Sequence, residues 1–339
     1  MAVSDRKLRG GDRAAARSRH GSGYSGFLSS AANLVLPVGT RVRPGEVAGY
    51  FIDFSLKARA PRWEDGWRAV RASDQHYVVA AQWGLGCYER YLEGEGDAWL
   101  AAALDAAEYL LGEQQRRGPN RGGWVHHRPM THTFRIKPPW LSAMAQGEAA
   151  SLFVRVYRAT REERFAEAAR DALLPLGRWR ADRGLRVELG DGFFLEEFPT
   201  DPPSLVLNGG IYALWGYYDV GIAFGDGGAM AEFELGADTL AANVGRWDTG
   251  SWSRYDLFPR RLVNVASPAY HRLHINQLRA MSLIAPRPEL EAAADRFERY
   301  WASRRRRAAA FARKAAFRLL IPRHPLLAQR TPFGRPRPG

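Results

Sequence analysis

The chain has 339 residues, 46% hydrophobic and 12% aromatic, with 11 Trp and 16 Phe; that supports a large core and excludes a disordered polymer. It has no run of 18 apolar residues, which excludes a spanning helix, and a single cysteine, Cys87, which excludes an internal disulfide framework. The net charge of +13 sits at the ends: residues 1–23 carry +4 and residues 304–339 carry +11 without one acid, leaving −2 for residues 24–303 and no basic groove for nucleic acid.

In chain order, residues 1–23 read as a disordered basic tail. They lack the apolar stretch and cleavage site of a secretory signal, and Phe27–Pro37 is interrupted by Ser29, Ser30 and Asn33, so the chain is expected in the cytoplasm. Four long segments, apolar on one face, then begin near Asp74, Trp140, Leu205 and Tyr270, spaced by 66, 65 and 65 residues. Each is followed by a break and a second helical pattern, over Asp97–Arg116, Glu162–Trp179, Ala229–Trp247 and Glu289–Ser303. An apolar inner helix paired with an amphipathic outer one at a fixed period predicts an all-α fold. The repeat describes an (α/α) toroid or solenoid, and the expected form is the toroid, six-hairpin-glycosidase-like with about four clear helix hairpins.

The linkers 117–139, 180–204 and 248–269 hold strand-like pieces: Gly123–His126, Leu185–Glu188 with Phe193–Leu195, and Leu262–Val265. All three lead into inner helices and therefore share one rim, where short β-hairpins and the chemistry are expected. Beyond the last hairpin, Arg304–Arg307 runs into Ala308–Ile321, with Phe311, Phe317, Leu319, Leu320 and Ile321 among Arg313, Lys314 and Arg318. This reads either as a basic amphipathic helix lying on anionic lipid or as a solvated helical end. The expected division is thus a tail over 1–23, a toroid domain over 24–303 and a basic tail over 304–339. On that division a chain ending at Ser303 is expected to lose vesicle binding and to keep whatever chemistry the toroid performs.

The rim loops are rich in polar and aromatic groups. The first carries His126, His127, His132, Arg135 and Lys137, the second Glu196 and Glu197, and the third Asp248, Arg254, Tyr255 and Asp256. Tyr270, His271 and His274 open the fourth inner helix. Zinc is not expected, because His126 and His127 are adjacent and point apart on a strand, and His271 and His274 lack a carboxylate at i+4. Glu196 or Glu197 with Asp256 could be the carboxylate pair of glycoside hydrolysis, or the same acids could cap helices and pair with neighbouring Arg. Taken singly, Tyr255 and Tyr270 read as core residues with satisfied hydroxyls, and His271 and His274 as hydrogen-bonding core residues.

Four blocks, Pro139–Glu148, Glu196–Gly209, Trp247–Leu257 and Tyr270–Leu278, resemble in order and spacing the C-terminal helical domain of the D-glucuronyl C5-epimerase family. Its members convert D-glucuronate to L-iduronate within heparan-type chains. The resemblance covers residues 45–300 and implies a base on one face of C5, an acid on the other, and neutralisation of the neighbouring carboxylate as the enediolate forms. By position it implies Glu197 and Tyr270 as the proton-transfer pair and Tyr255 as a donor to the carboxylate or enediolate. The expected substrate-binding residues are Arg254, Arg135, Lys137, Asn208, His271 and His274. Two departures stand out: Phe198 where the family has Tyr, and Phe258 where its animal members have Arg. The expected partner is a heparosan-like or other uronate-containing polysaccharide, with a peripheral membrane contact through the C-terminal tail and a homodimer as further expectations; no cofactor, metal or nucleic acid is expected. Rival readings are a uronate polysaccharide lyase on the same toroid, which begins with the same proton abstraction, a non-catalytic glycan-binding protein, and a glycoside hydrolase.

Overall fold

The computed structural model describes residues 36–58, 77–130 and 132–323. The N-terminal tail, the segment from Phe27, the start of the first repeat at Asp74 and residues 324–339 lie outside the described residues. Four hairpins follow one another: α1 (Tyr77–Leu92) with α2 (Asp97–Glu113), α3 (Ala143–Thr160) with α4 (Glu163–Ala172), α5 (Leu207–Phe224) with α6 (Gly227–Asn243), and α7 (Pro268–Ile284) with α8 (Pro288–Ala302). A further helix, α9 (Arg304–Leu320), comes next. The fold is all-α, as the repeat predicts, and each inner helix begins within three residues of its expected start where that start is described.

Local chemistry sets these boundaries. Ser142, Asp226, Ser267 and Ser303 cap α3, α6, α7 and α9, each accepting from a backbone N–H in the first turn, and Pro268 and Pro288 sit where a missing N–H costs nothing. Gly225, at φ 63°, ends α5 in the left-handed conformation that glycine adopts freely. The pattern expected to run to Trp179 stops at Ala172, because Pro175 cannot continue a helix.

Inner helices pack in sequence, α1 on α3, α3 on α5, and α5 on α7, with each outer helix on its own partner. The α3–α5 crossing is close because both helices present glycine: a Cβ at Gly147 would meet the Tyr212 carbonyl oxygen at 2.4 Å, and one at Gly216 would meet the Gly147 Cα at 2.6 Å. Across the same crossing the buried Arg155 donates to Asp219 Oδ2 at 2.6 Å and to the Gly49 carbonyl at 2.7 Å. Four tryptophans, Trp124, Trp215, Trp247 and Trp252, are fully buried, and each indole N–H finds an acceptor.

The rim loops carry less sheet than expected. In the second, β1 (Arg186–Leu189) pairs antiparallel with β2 (Gly192–Leu195), Arg186 opposite Leu195. The first and third hold isolated bridges, His126 with Trp140 and Arg254 with Val265 among them. Packing also continues past the expected boundary at residue 303. Ala310, Phe317 and Ile321 on α9 and just beyond it are buried, Phe317 and Ile321 against Leu262, and the Lys314 ammonium donates to Asn264 Oδ1 at 2.7 Å. Residues 304–323 therefore belong to the folded body and lie on the third rim loop.

Candidate active site

Strand alternation separates the two adjacent glutamates. Glu196, leaving β2, turns to the next loop and accepts from the backbone N–H groups of Ser204 (3.0 Å) and Leu205 (2.7 Å), holding Leu205 at φ 49°. Burial raises its carboxyl to about 7, against the opposing pull of those bonds. Glu197 points the other way, onto the first turn of α5. A Cβ at Gly209 would lie 2.4 Å from its Oε2, so the glycine makes the space the carboxylate occupies. That oxygen is buried and has no hydrogen-bond partner among the described residues. Burial, and then the charge of Glu196, push Glu197 up to about 8.

Tyr255 reaches the same place from the third loop. Its N–H donates to the Asn264 carbonyl at 2.8 Å, and its carbonyl accepts from Leu207 at the start of α5, at 3.3 Å. Tyr270 arrives from the first turn of α7, just after the Ser267 cap. The two rings meet edge to face with centroids 5.2 Å apart. Burial raises both phenols, Tyr270 to about 12, and the charge of Glu197 is the next cause for each. Residues 58 and 15 positions apart in sequence, Glu197, Tyr255 and Tyr270, thus share one electrostatic environment.

On the interior side, Glu148 of α3 accepts from Gln82 Nε2 at 2.8 Å, Gln82 in turn accepts from Lys57, and the Glu148 charge acts on Glu197's neighbours Tyr212 and Tyr270. Asn208, beside Gly209, is buried with its Oδ1 unpartnered among the described residues, while its backbone carbonyl accepts from Gln277.

Several expected ligands lie elsewhere. His271 stacks on Trp252 at 3.7 Å; its Nδ1 accepts the Ser253 N–H at 3.1 Å, so its Nε2 carries the proton and donates to the Phe297 carbonyl at 3.0 Å. Fully satisfied and wholly buried, it is held neutral, its pKa lowered to about 3 chiefly by burial. His274, equally buried, bonds Ser253 Oγ through Nδ1 at 2.9 Å. His271 thus has both ring nitrogens engaged in the core, whereas His274 keeps a buried Nε2 without a hydrogen-bond partner among the described residues. Arg135 and Lys137 are exposed, because in this extended stretch the alternate residues Phe134 and Ile136 take the inward positions. Arg254, one residue from Tyr255 on extended backbone, has Asp256 and Arg246 as its charged neighbours. Asp256 is engaged by Arg260, the Phe258 N–H and Asn264, which removes it as half of a glycosidase pair.

Both departures from the family pattern are apolar packing. Phe198 and Phe258 join Phe134, Ile136, Trp140, Val206 and Tyr255 in one cluster, and the Arg260 guanidinium lies 4.3 Å from the Phe258 ring centroid and 4.7 Å from that of Phe134. His132 stacks within this cluster, 6.1 Å from Tyr255. Residues that sequence reasoning did not assign to the site are Glu148, Asn264, Arg260 and, from α9, Lys314 and Arg318. Glu148 lay inside a family block; nothing local marked Lys314 or Arg318.

A buried carboxyl raised to about 8 stands beside two protonated phenols, a set of groups able to accept and donate protons. The chain belongs to the D-glucuronyl C5-epimerase family: the model of that family's C-terminus matches residues 118–299. It is 32% identical over 213 residues to a D-glucuronyl C5-epimerase of Caenorhabditis elegans, a stretch covering 58% of this chain and 34% of that protein. It is 24% identical over 213 residues to an uncharacterized protein of Methanocaldococcus jannaschii, covering 57% and 66%. The chain therefore spans about a third of the length of the worm enzyme. Among the described residues no group of three or more His, Cys, Asp or Glu is placed to hold a metal ion, and no helix is long and apolar enough to cross a membrane.

Proposed function

We propose that this protein inverts C5 of D-glucuronate residues to L-iduronate within a heparosan-like polysaccharide, at a site on the rim of an (α/α) toroid. The observation that carries this reading is Glu197: a buried carboxyl, raised to about 8, with one oxygen unpartnered among the described residues and its charge acting on Tyr255 and Tyr270. C5–H is weakly acidic because the adjacent carboxylate can accept the electron pair as an enediolate. Glu197, as carboxylate, takes that proton from one face. Tyr270, held protonated, returns a proton to the other face; Glu197 then releases the proton it took to solvent and the Tyr270 phenolate takes one back, which restores the starting pair. Tyr255 donates its O–H to the carboxylate oxygen on which charge grows. Hydrogen at C5 must then exchange with solvent. Heparosan incubated with the protein in deuterated water is expected to gain deuterium at C5 by NMR, together with iduronate signals. Absorbance of an unsaturated uronate instead would show a lyase, and binding without exchange a glycan-binding protein.

A second role for the same chain is supported by α9, where Phe311 and Leu319 are 65% and 85% exposed on a helix that opens with Arg304–Arg307. We read this face as a peripheral contact for an anionic membrane. Co-sedimentation with phosphatidylserine vesicles, lost when the four arginines become alanine, is the expected result.

A further inference from the structure

The helix α9 lies beyond residues 118–299, the part of the chain that matches the family, yet it borders the site. Its inward stripe is Ala310, Lys314, Phe317, Arg318 and Ile321, spaced as one face of a helix. The Lys314 ammonium stands 5.2 Å from the Tyr255 ring centroid and is tied at 2.7 Å to Asn264, the residue whose carbonyl holds the Tyr255 N–H. Arg318 follows one turn later, with its Nη1 buried and without a hydrogen-bond partner among the described residues, and Arg323 has a buried, unpartnered Nε. The charges of Arg318 and Arg323 act on both Tyr255 and Tyr270, and all of these cations with Arg260 act on His132. Against Lys314, Arg260, Arg318 and Arg323, the carboxylate at this end of the site is Asp256, itself engaged by Arg260 and Asn264. Four cations gathered around one engaged carboxylate, with Glu197 also acting on Tyr255, leave positive charge that an anion would neutralise.

We propose that α9 supplies the anion-binding wall of the active site: Lys314 and Arg318 hold the C6 carboxylate of the reacting uronate beside Tyr255. This rests on the epimerase reading and names the side chains that complete its site. The arrangement matches the chemistry, because removing the C5 proton delocalises a second negative charge onto the carboxylate, and fixed cations there favour the transition state over the bound substrate. Mutual repulsion agrees with an open anion site. Burial first, and then Arg318, Arg323 and Arg260, lower the Lys314 ammonium well below its ordinary value despite Asp256, and an arriving carboxylate would restore it.

The test uses the full chain and a heparosan oligosaccharide, reading C5 deuterium exchange for kcat and KM. Lys314→Met and Arg318→Met are each expected to lower kcat/KM by about tenfold to a hundredfold, with kcat falling as well as KM rising, the loss typical of a charge-assisted contact. Lys314→Arg should recover most of it, and Arg313→Met, on the exposed face, should behave as wild type. Circular dichroism and melting establish that each variant is folded. Unchanged kinetics in folded variants would overturn the proposal, and so would a rise in KM alone, which would place the anion on a neighbouring sugar. A wild-type protein without exchange would defeat the epimerase reading instead. Calorimetry then judges the wall by itself: wild type should bind heparosan oligosaccharide at least tenfold more tightly than its carboxyl-reduced form, and Lys314→Met should lose that preference. Equal binding of the two sugars by wild type would refute the wall.

Discussion

Glu196 and Glu197 are adjacent and chemically alike, and their surroundings give them opposite duties. Two backbone N–H groups occupy Glu196, whereas Glu197 faces a gap kept open by Gly209. Glu197→Gln keeps the shape but cannot accept a proton, and Tyr270→Phe cannot return one; each is expected to slow C5 exchange by about 10²–10⁴-fold with polymer binding retained. Tyr255→Phe, losing one donor to the enediolate, should cost about 10²–10³. Because Glu197 must be ionised to act as the base and its pKa lies at about 8, kcat/KM is expected to rise with pH up to that value and then level. A profile flat through pH 8 would remove Glu197 from that role. Gly209→Ala should depress exchange without removing any titrating group, since the new Cβ displaces the Glu197 carboxylate.

The pair α3 and α5 carries the site, because one contributes Glu148 and the other begins at Asn208 and Gly209. Their separation is set by backbone meeting backbone at Gly147 and Gly216, which flexible side chains cannot relieve. Gly147→Ala is therefore expected to destabilise by about 1–3 kcal/mol in urea unfolding, through overpacking. Asp219→Ala should cost more, about 3–5 kcal/mol, because it strands the Arg155 guanidinium, of which 1% is exposed, without its partner. Surface pairs such as Arg287 with Glu234 should give less than about 1 kcal/mol when broken.

Across the whole molecule, buried titratable groups pull stability in two directions. His132, His271 and His274 are held neutral, all below the ordinary 6.5, so unfolding lets them bind protons and stability falls as pH drops from 6.5 toward the value of about 3 at His271. Glu196 and Glu197 are held protonated up to about 7 and 8, so unfolding releases protons above the ordinary 4.5 and stability falls as pH rises from 4.5 to 8. Urea midpoints measured across pH should peak between 4.5 and 6.5, where neither loss is complete. Glu197→Gln should flatten the alkaline side of that curve and leave the acid side unchanged.

The sequence by itself determined the hairpins, because helical period, capping Ser and Asp, and Gly or Pro breaks are local signals that act within one or two turns. It also singled out Glu197, Tyr255 and Tyr270 as candidates, through blocks whose order resembles a family. Only the tertiary structure decided the surroundings of those blocks. The His-x-x-His pattern at His271 and His274 reads the same whether it lines a cleft or fills a core, and Trp252, Ser253 and Phe297 decide for the core. Arg135 and Lys137 alternate with Phe134 and Ile136, and period two says that the pairs face opposite ways without saying which is inward. The same holds for α9. A basic amphipathic helix can turn its apolar stripe to lipid, to water or to its own protein, and the contact between Lys314 and Asn264, 50 residues apart, is what brings it to Tyr255. No periodicity encodes a contact at that separation, because it depends on where the intervening α7 and α8 place the chain.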